Sequence, residues 1–344
     1  MPSKNIYSKS YALEFTRIAL LFIFSAFTTA LFGQSYTTIK SGDWNDPSIW
    51  SPTHPSGYPT SSDQTITISG SHIVTIPAGL SITADELIVN GTLQISQAAG
   101  LTITNGSATD LQLSGTLNVY GTLKLSDQAT HTGLMSSNTT FYTGSHYSHL
   151  YTILEGVIPS ASWNSGSTLE INGYTTFSFA TTSGNWSQRF GNVEWNCTLQ
   201  SSGIKMNGLL QNITGSFSVI STGSSLLELS NNQALTINIA GDVTIANDSR
   251  VYFSTAPVLG NSVEALQINI GGTFNYTSTH SAGSETNEGK KTTINIAGDF
   301  YMNAPGGKLT LSLKESNTVA GDGTTFNIGG NFNLVAGQIF ANDV

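Results

Sequence analysis

The chain has 344 residues, a formal net charge of -9 and only 10% charged residues, against about 25% in an ordinary soluble domain. Ser (45), Thr (44), Asn (28) and Gly (35) fill 152 positions, and this mixture of β-branched, turn-seeking and flexible residues excludes a mainly helical protein. Twelve scattered Lys and Arg against 21 Asp and Glu exclude a nucleic-acid binder, which needs a basic patch to displace counterions, while 38% hydrophobic residues suffice for a core.

Lys4, Lys9 and Arg17 precede an apolar run at 18–31. That run is shorter than the roughly 20 residues that span a bilayer. A basic segment, a short apolar segment and then small residues predict a secretory signal peptide over 1–33, cleaved after Ala30 or Gly33. Gln34 stands where a lipoprotein would carry Cys, so no lipid anchor and no membrane span are expected in the mature chain. Without residues 1–33 the net charge becomes -11. Cys197 is the single cysteine; it excludes an internal disulfide and reads as a small buried hydrophobe.

Residues 34–64 read as an N-terminal cap. Four of the nine prolines fall here (Pro47, Pro52, Pro55 and Pro59), Asn45-Asp46-Pro47 starts a turn, and Trp44 and Trp50 flank it. Aromatic rings folded over a first coil would close an otherwise open end.

Residues 65–130 alternate with period two, the pattern of strands buried on one face. The pairs are Ile66/Ile68, Val74/Ile76, Leu80/Ile82, Leu87/Val89, Leu93/Ile95, Leu101/Ile103, Leu111/Leu113, Leu117/Val119 and Leu123/Leu125. Gly-Thr-Leu at Gly91 returns at Gly115, three alternating pairs later, which predicts three short strands per coil of a right-handed parallel β-helix. Residues 131–200 read as looser, aromatic-rich coils or an insertion.

Residues 201–344 repeat more plainly. Ile237-Asn238-Ile239-Ala240-Gly241-Asp242-Val243 returns at Ile268, Ile294 and Phe326, and the second glycines of the copies are Gly241, Gly272, Gly298 and Gly330. This period is longer than that of the first half and predicts the same coil with an enlarged polar loop, as between Ser278 and Lys291. The sequence ends soon after Gly330 and no cap is evident, so the expectation is a coil stack cut short, or one that associates end to end. One coil cannot stand alone. It buries about six apolar side chains at roughly 1.5–3 kcal/mol each, against about 1–2 kcal/mol per residue of backbone entropy. The rival fold is a pair of tandem β-sandwiches, for which the strand starts are closely spaced.

The Trp44-Asn45-Asp46-Pro47…Trp50 segment, then Asp63 before the first alternating strand and the Gly-Thr-Leu pairs, resembles the start of secreted cell-surface β-helix proteins of Bacteroidetes-type bacteria. It is similar, more loosely, to the extracellular domain named for its eight glycines. The resemblance covers residues 36–125 and implies export, often by an outer-membrane route that uses a C-terminal sorting domain. No such domain is legible here.

Few residues suggest chemistry. Phe141, Tyr142, Tyr147, Tyr151, Trp163, Tyr174, Phe177, Phe179, Trp186, Phe190 and Trp195 are expected to pack on the coils, with sugar stacking as the alternative. His131, His146 and His149 read as surface residues; His146 and His149 could share a metal, but no carboxylate or Cys lies nearby in sequence. Asp242, Thr273, Asp299 and Asn331 share one repeat position, where an Asx bond to backbone is favoured over calcium. Asn238, Asn269, Asn295 and Asn327 are expected to face outward as a hydrogen-bonded ladder between coils. Asp85-Glu86 is expected to point to opposite faces of a strand, and only Lys290-Lys291 cluster as bases. No hydrolase elbow or phosphate loop is present. An ice- or mineral-binding face would need Thr pairs in register, and Thr65-Ile66-Thr67 and Thr102-Ile103-Thr104 recur irregularly.

No catalytic, cofactor or metal residue is therefore assigned. The sequence reads as a secreted or cell-surface structural or adhesive module whose partner is an extracellular polysaccharide or surface glycan. The alternative is a carbohydrate-active enzyme, a polysaccharide lyase or glycosidase, or part of one.

Overall fold

A computed structural model describes residues 33–176, 184–230, 234–254, 266–283, 291–311 and 323–340. The predicted signal peptide up to Phe32, Phe177, Phe179 and Lys290 lie outside the described residues. The described chain is all-β: parallel sheets stacked as a β-helix solenoid, with one short 3-10 turn at Pro47–Ile49 and no α-helix. No helix among the described residues is long and apolar enough to cross a membrane.

Each early coil contributes one strand to each of three faces. Ile66–Ile68, Leu87–Val89 and Leu111–Leu113 pair in parallel on the first. Ile73–Ile76, Thr92–Ile95 and Thr116–Val119 do so on the second. Ser81–Ala84, Gly100–Ile103 and Thr122–Leu125 form the third. The third face then runs on through His146–His149, Thr168–Ile171, Asn192–Asn196, Phe217–Ser221, Val243–Ile245, Phe274–Tyr276 and Phe300–Thr310. Parallel pairing rules out the sandwiches, whose neighbouring strands are antiparallel.

Alternation sets which side chains meet the core. Ile66, Ile68, Leu87, Val89, Leu111, Leu117, Leu123 and Leu125 are fully buried, while the residues between them face outward. One expected pair is corrected. The strand is Ser81–Ala84, so Ile82 and Ala84 face inward and Leu80 precedes it in the turn. Ala84 is too small to stand out in an alternation of larger side chains. Asp85 and Glu86 lie in the bend between two strands, not on one, so the opposite-face expectation fails.

The segment with the tryptophans covers the first coil and adds to it. Tyr36–Thr38 pairs in parallel with Ile66–Ile68, Gly42–Asp43 pairs with the next face, and Trp50–Ser51 turns back antiparallel on Tyr36–Thr38. Asp46 caps the 3-10 turn by accepting from the Ser48 N–H (2.9 Å). Trp44 and Trp50 are buried with ring centroids 5.1 Å apart; Trp50 Nε1 donates to the Trp44 carbonyl and Trp44 Nε1 to that of Pro59. A buried His54–Asp63 contact of 3.2 Å ties the proline-rich loop to the first coil.

In the second half a new face begins, made of Asn212–Ile213, Leu235–Ile239, Leu266–Ile270, Lys291–Ile296 and Gly323–Ile328. The four sequence repeats stack on it in register: Asn238 opposite Asn269, Asn269 opposite Asn295, Asn295 opposite Asn327. Beneath them Phe274, Phe300 and Phe332 form a stacked column, with centroids 5.6 and 5.0 Å apart. Within the expected polar loop between Ser278 and Lys291, Ser281–Gly283 is a strand paired with Val251–Ser254, and residues 284–290 lie outside the described residues. At the last coil Phe332, Leu334 and Val335 are exposed.

The glycines of the repeat are explained by stacking. Gly241 N–H donates to Gly215 O, Gly272 to Gly241, Gly298 to Gly272 and Gly330 to Gly298, at 2.8–3.0 Å. A Cβ at Gly272 would lie 2.1 Å from Asp242 Oδ1, and one at Gly330 2.3 Å from Asp299 Oδ1. The side chain is excluded by the coil beneath, not by the backbone dihedral.

Candidate ligand-binding groove

The new face carries the expected ladder. Asn327 Nδ2 donates to Asn295 Oδ1, Asn295 Nδ2 to Asn269 Oδ1, and Asn269 Nδ2 to Asn238 Oδ1, at 2.8, 2.8 and 2.9 Å. Every amide of the ladder points the same way, toward the N-terminal coils. Gln267 Nε2 adds a bond to Asn269 Oδ1. Each rung follows from strand alternation: the flanking Ile237 and Ile239, and their counterparts, are inward, so Asn is outward.

Two more residues extend the same column. Asn212 pairs with Asn238, and the bridge between Phe190 and Ile213 places Arg189 one coil further, beside Asn212. Next to this column runs a row of small residues, Thr214, Ala240, Gly271, Ala297 and Gly329. Together they line an open groove of about 1110 Å³ that runs along the stack from Arg189 to Asn327. Among the described residues, Arg189 is the one charged residue of its lining. Asn212 was not singled out from the sequence, although Asn212-Ile213-Thr214-Gly215-Ser216-Phe217 is a degenerate fifth copy of the repeat. Arg189-Phe190-Gly191 lacks the Asn, and its glycine comes one residue early.

Asp242 and Asp299 do bond backbone, but in the next coil: Asp242 Oδ1 accepts from Thr273 N–H and Asp299 Oδ1 from Asn331 N–H, each at 2.7 Å. They are links between coils, not turns closed on themselves. No group of three or more His, Cys, Asp or Glu among the described residues could hold a metal.

The aromatic residues are core. Phe141, Tyr147, Tyr151, Trp163, Tyr174, Trp186, Phe190 and Trp195 are buried, and Phe141 stacks on Trp163 at 4.2 Å. Tyr142 is the exception; half-buried, it stacks on Tyr120 at 4.1 Å outside the coil.

The surface reading of the histidines is corrected. His149 is completely buried on the inward side of its strand. Tyr147 O–H donates to its Nδ1 (2.9 Å) and its Nε2–H donates to the Glu155 carbonyl (2.8 Å). Burial drives its pKa down to about 4. His131 is half-buried against the Val157 carbonyl, and burial lowers its pKa too.

His146 faces outward and meets a carboxylate that the linear sequence hides, Glu170 one coil on, with Nδ1 2.5 Å from Oε1. Ser148 O–H donates to the other Glu170 oxygen (2.6 Å). Glu194 sits opposite Glu170 on the following strand, and burial first, then the Glu170 charge, raises its pKa. Glu170 and Glu194 therefore form a carboxylate pair from residues that are singletons in sequence.

Cys197 is buried, as expected, and burial pushes its thiol up to about 12. The Thr pairs do not run on from coil to coil: Thr67 pairs with Thr37 on one side and Ile88 on the other, and Thr102 with Thr83 and Lys124.

Comparison with family models, curated proteins and solved structures found no match. The resemblance to surface β-helix proteins therefore stands at the level of architecture, a β-solenoid of long parallel sheets.

Proposed function

We propose that this chain is an exported surface module that holds an extended polysaccharide in the asparagine-lined groove. The observation that carries the reading is the register of Asn212, Asn238, Asn269, Asn295 and Asn327 along one open groove. Neighbouring rungs repeat at about 4.8 Å, close to the length of one pyranose unit in an extended glycan. An amide that donates to the ladder spends one of its two N–H groups there and keeps the other for a hydroxyl. The small residues beside the ladder let a sugar ring approach the backbone. The basic, apolar and small segments of residues 1–33 support export, and the Ser, Thr and Asn surface with few charges suits a module outside the cell.

The test is affinity electrophoresis through gels containing cellulose derivatives, β-glucan, xylan or mannan. Retardation by at least one of them is expected, with Asn269→Ala/Asn295→Ala losing most of it while keeping the same circular dichroism. Wild-type protein that none of them retards, or a double variant retarded as strongly, refutes the reading.

The Glu170–Glu194 pair favours a second reading, glycoside hydrolysis. Their register on adjacent strands sets two carboxylates side by side on one face, and glycosidases use a pair of carboxylates. Glu194, with its raised pKa, would be the acid. Reducing sugar released by the wild type and not by Glu194→Gln would establish it; no release leaves binding alone.

A further inference from the structure

We propose that the groove recognises an anionic sugar substituent at its Arg189 end. This rests on the reading of the groove as a glycan site and adds a substrate class to it. Two independent features favour negative charge toward that end. Arg189 is the one charged residue of the lining among the described residues, exposed beside Asn212 at the N-terminal end of the column. The ladder amides from Asn238 to Asn327 are aligned, each donor bonding the preceding coil, so the donor end of the ladder lies at Asn238, two strand spacings from Arg189, and the acceptor end at Asn327. Aligned amides polarise one another, and their summed dipole favours negative charge at the donor end, as it does at a helix N-terminus. Arg adds a planar fork that matches a carboxylate or a sulfate with two hydrogen bonds.

The charge balance narrows the class further. The chain is acidic overall, at -9, and the groove offers a single cation at one end. A polyanion would be repelled along the rest of its length. The substrate that fits is a mostly neutral glycan with about one acidic group per groove length, five strand spacings or about 24 Å. A uronic acid and a sulfate ester share the chemistry required.

The experiment uses the full chain and matched probes: a neutral glucan or mannan that retards it, the same polymer lightly oxidised at C6 to carry uronates, the same polymer lightly sulfated, and polygalacturonate. At low salt the lightly charged forms are expected to bind about fivefold more tightly than the neutral parent, the size of one exposed ion pair. This preference should vanish at about 0.5 M salt and in Arg189→Gln. Whichever charged form is preferred identifies carboxylate or sulfate as the source. A wild type that binds the neutral polymer with no preference, a preference that survives Arg189→Gln, or tightest binding to polygalacturonate overturns the proposal and leaves the glycan groove standing. Failure of wild type to bind any of the polymers removes both.

Discussion

Acidification should loosen the middle coils through His149. The ring is fully buried, accepts a hydrogen bond from Tyr147 O–H at Nδ1 and donates one from Nε2 to the Glu155 carbonyl. A second proton would sit on Nδ1, remove the acceptor and place a charge in the core. Burial accordingly lowers its pKa from 6.5 to about 4. The unfolded chain takes up this proton at about pH 6.5, whereas the folded chain resists until about pH 4. The contribution is complete above pH 6.5, falls as pH drops through that window, and is exhausted below pH 4. A difference of 2.5 pKa units amounts to about 3 kcal/mol. Solenoids need not unfold as one unit, so the assay should be local: hydrogen exchange of the amides in 139–175 at several pH values, corrected for intrinsic rates. Wild type should lose about 3 kcal/mol of protection there between pH 7 and pH 4. His149→Gln, which retains a donor and an acceptor but cannot titrate, should lose far less, and the difference between the two cancels Asp85 and Glu194, whose raised pKa values act in the opposite direction. Equal slopes in the two proteins would refute the assignment of His149 as a buried neutral base.

Gly272→Ala should destabilise the second-half coils by about 2 kcal/mol, since its Cβ would lie 2.1 Å from Asp242 Oδ1 and 2.9 Å from the Gly241 carbonyl carbon. Gly70→Ala, with its nearest neighbour at 3.7 Å, is the control, and thermal melts that do not separate the two variants would contradict the close-stacking account. Cys197 should stay unreactive toward a thiol-specific disulfide reagent at pH 8 in the native protein and react fully in denaturant, because burial both blocks it and raises its pKa to about 12. Rapid labelling of the folded chain would show that this coil opens.

Much of the architecture is written in the amino-acid order. Alternation of period two states which side chains enter the core, and in a solenoid the distance between repeat copies is itself the register. The recurrence of the motif before Gly241, Gly272, Gly298 and Gly330 places Asn238, Asn269, Asn295 and Asn327 opposite one another, as the pairing shows. The aromatic stretch and Cys197 were legible for the same reason, since large rings and a lone thiol in alternating strands have the core as their default environment.

What the order does not state is which outward residues of different coils come to lie side by side. That depends on the length of each coil, and between Thr130 and Asn212 no motif marks the period. His146 thus finds Glu170 one coil further along the chain, Glu194 joins Glu170, and Arg189 takes its place at the foot of the asparagine column. His149 reads as polar and exposed until its strand is seen to continue the third face, which turns the ring inward. The sequence by itself determined the solenoid and the ladder, because both are properties of a local pattern repeated. Only the tertiary structure decided the groove and the carboxylate pair, because each is made of residues brought together by stacking, one strand spacing apart in space and a whole coil apart in the chain.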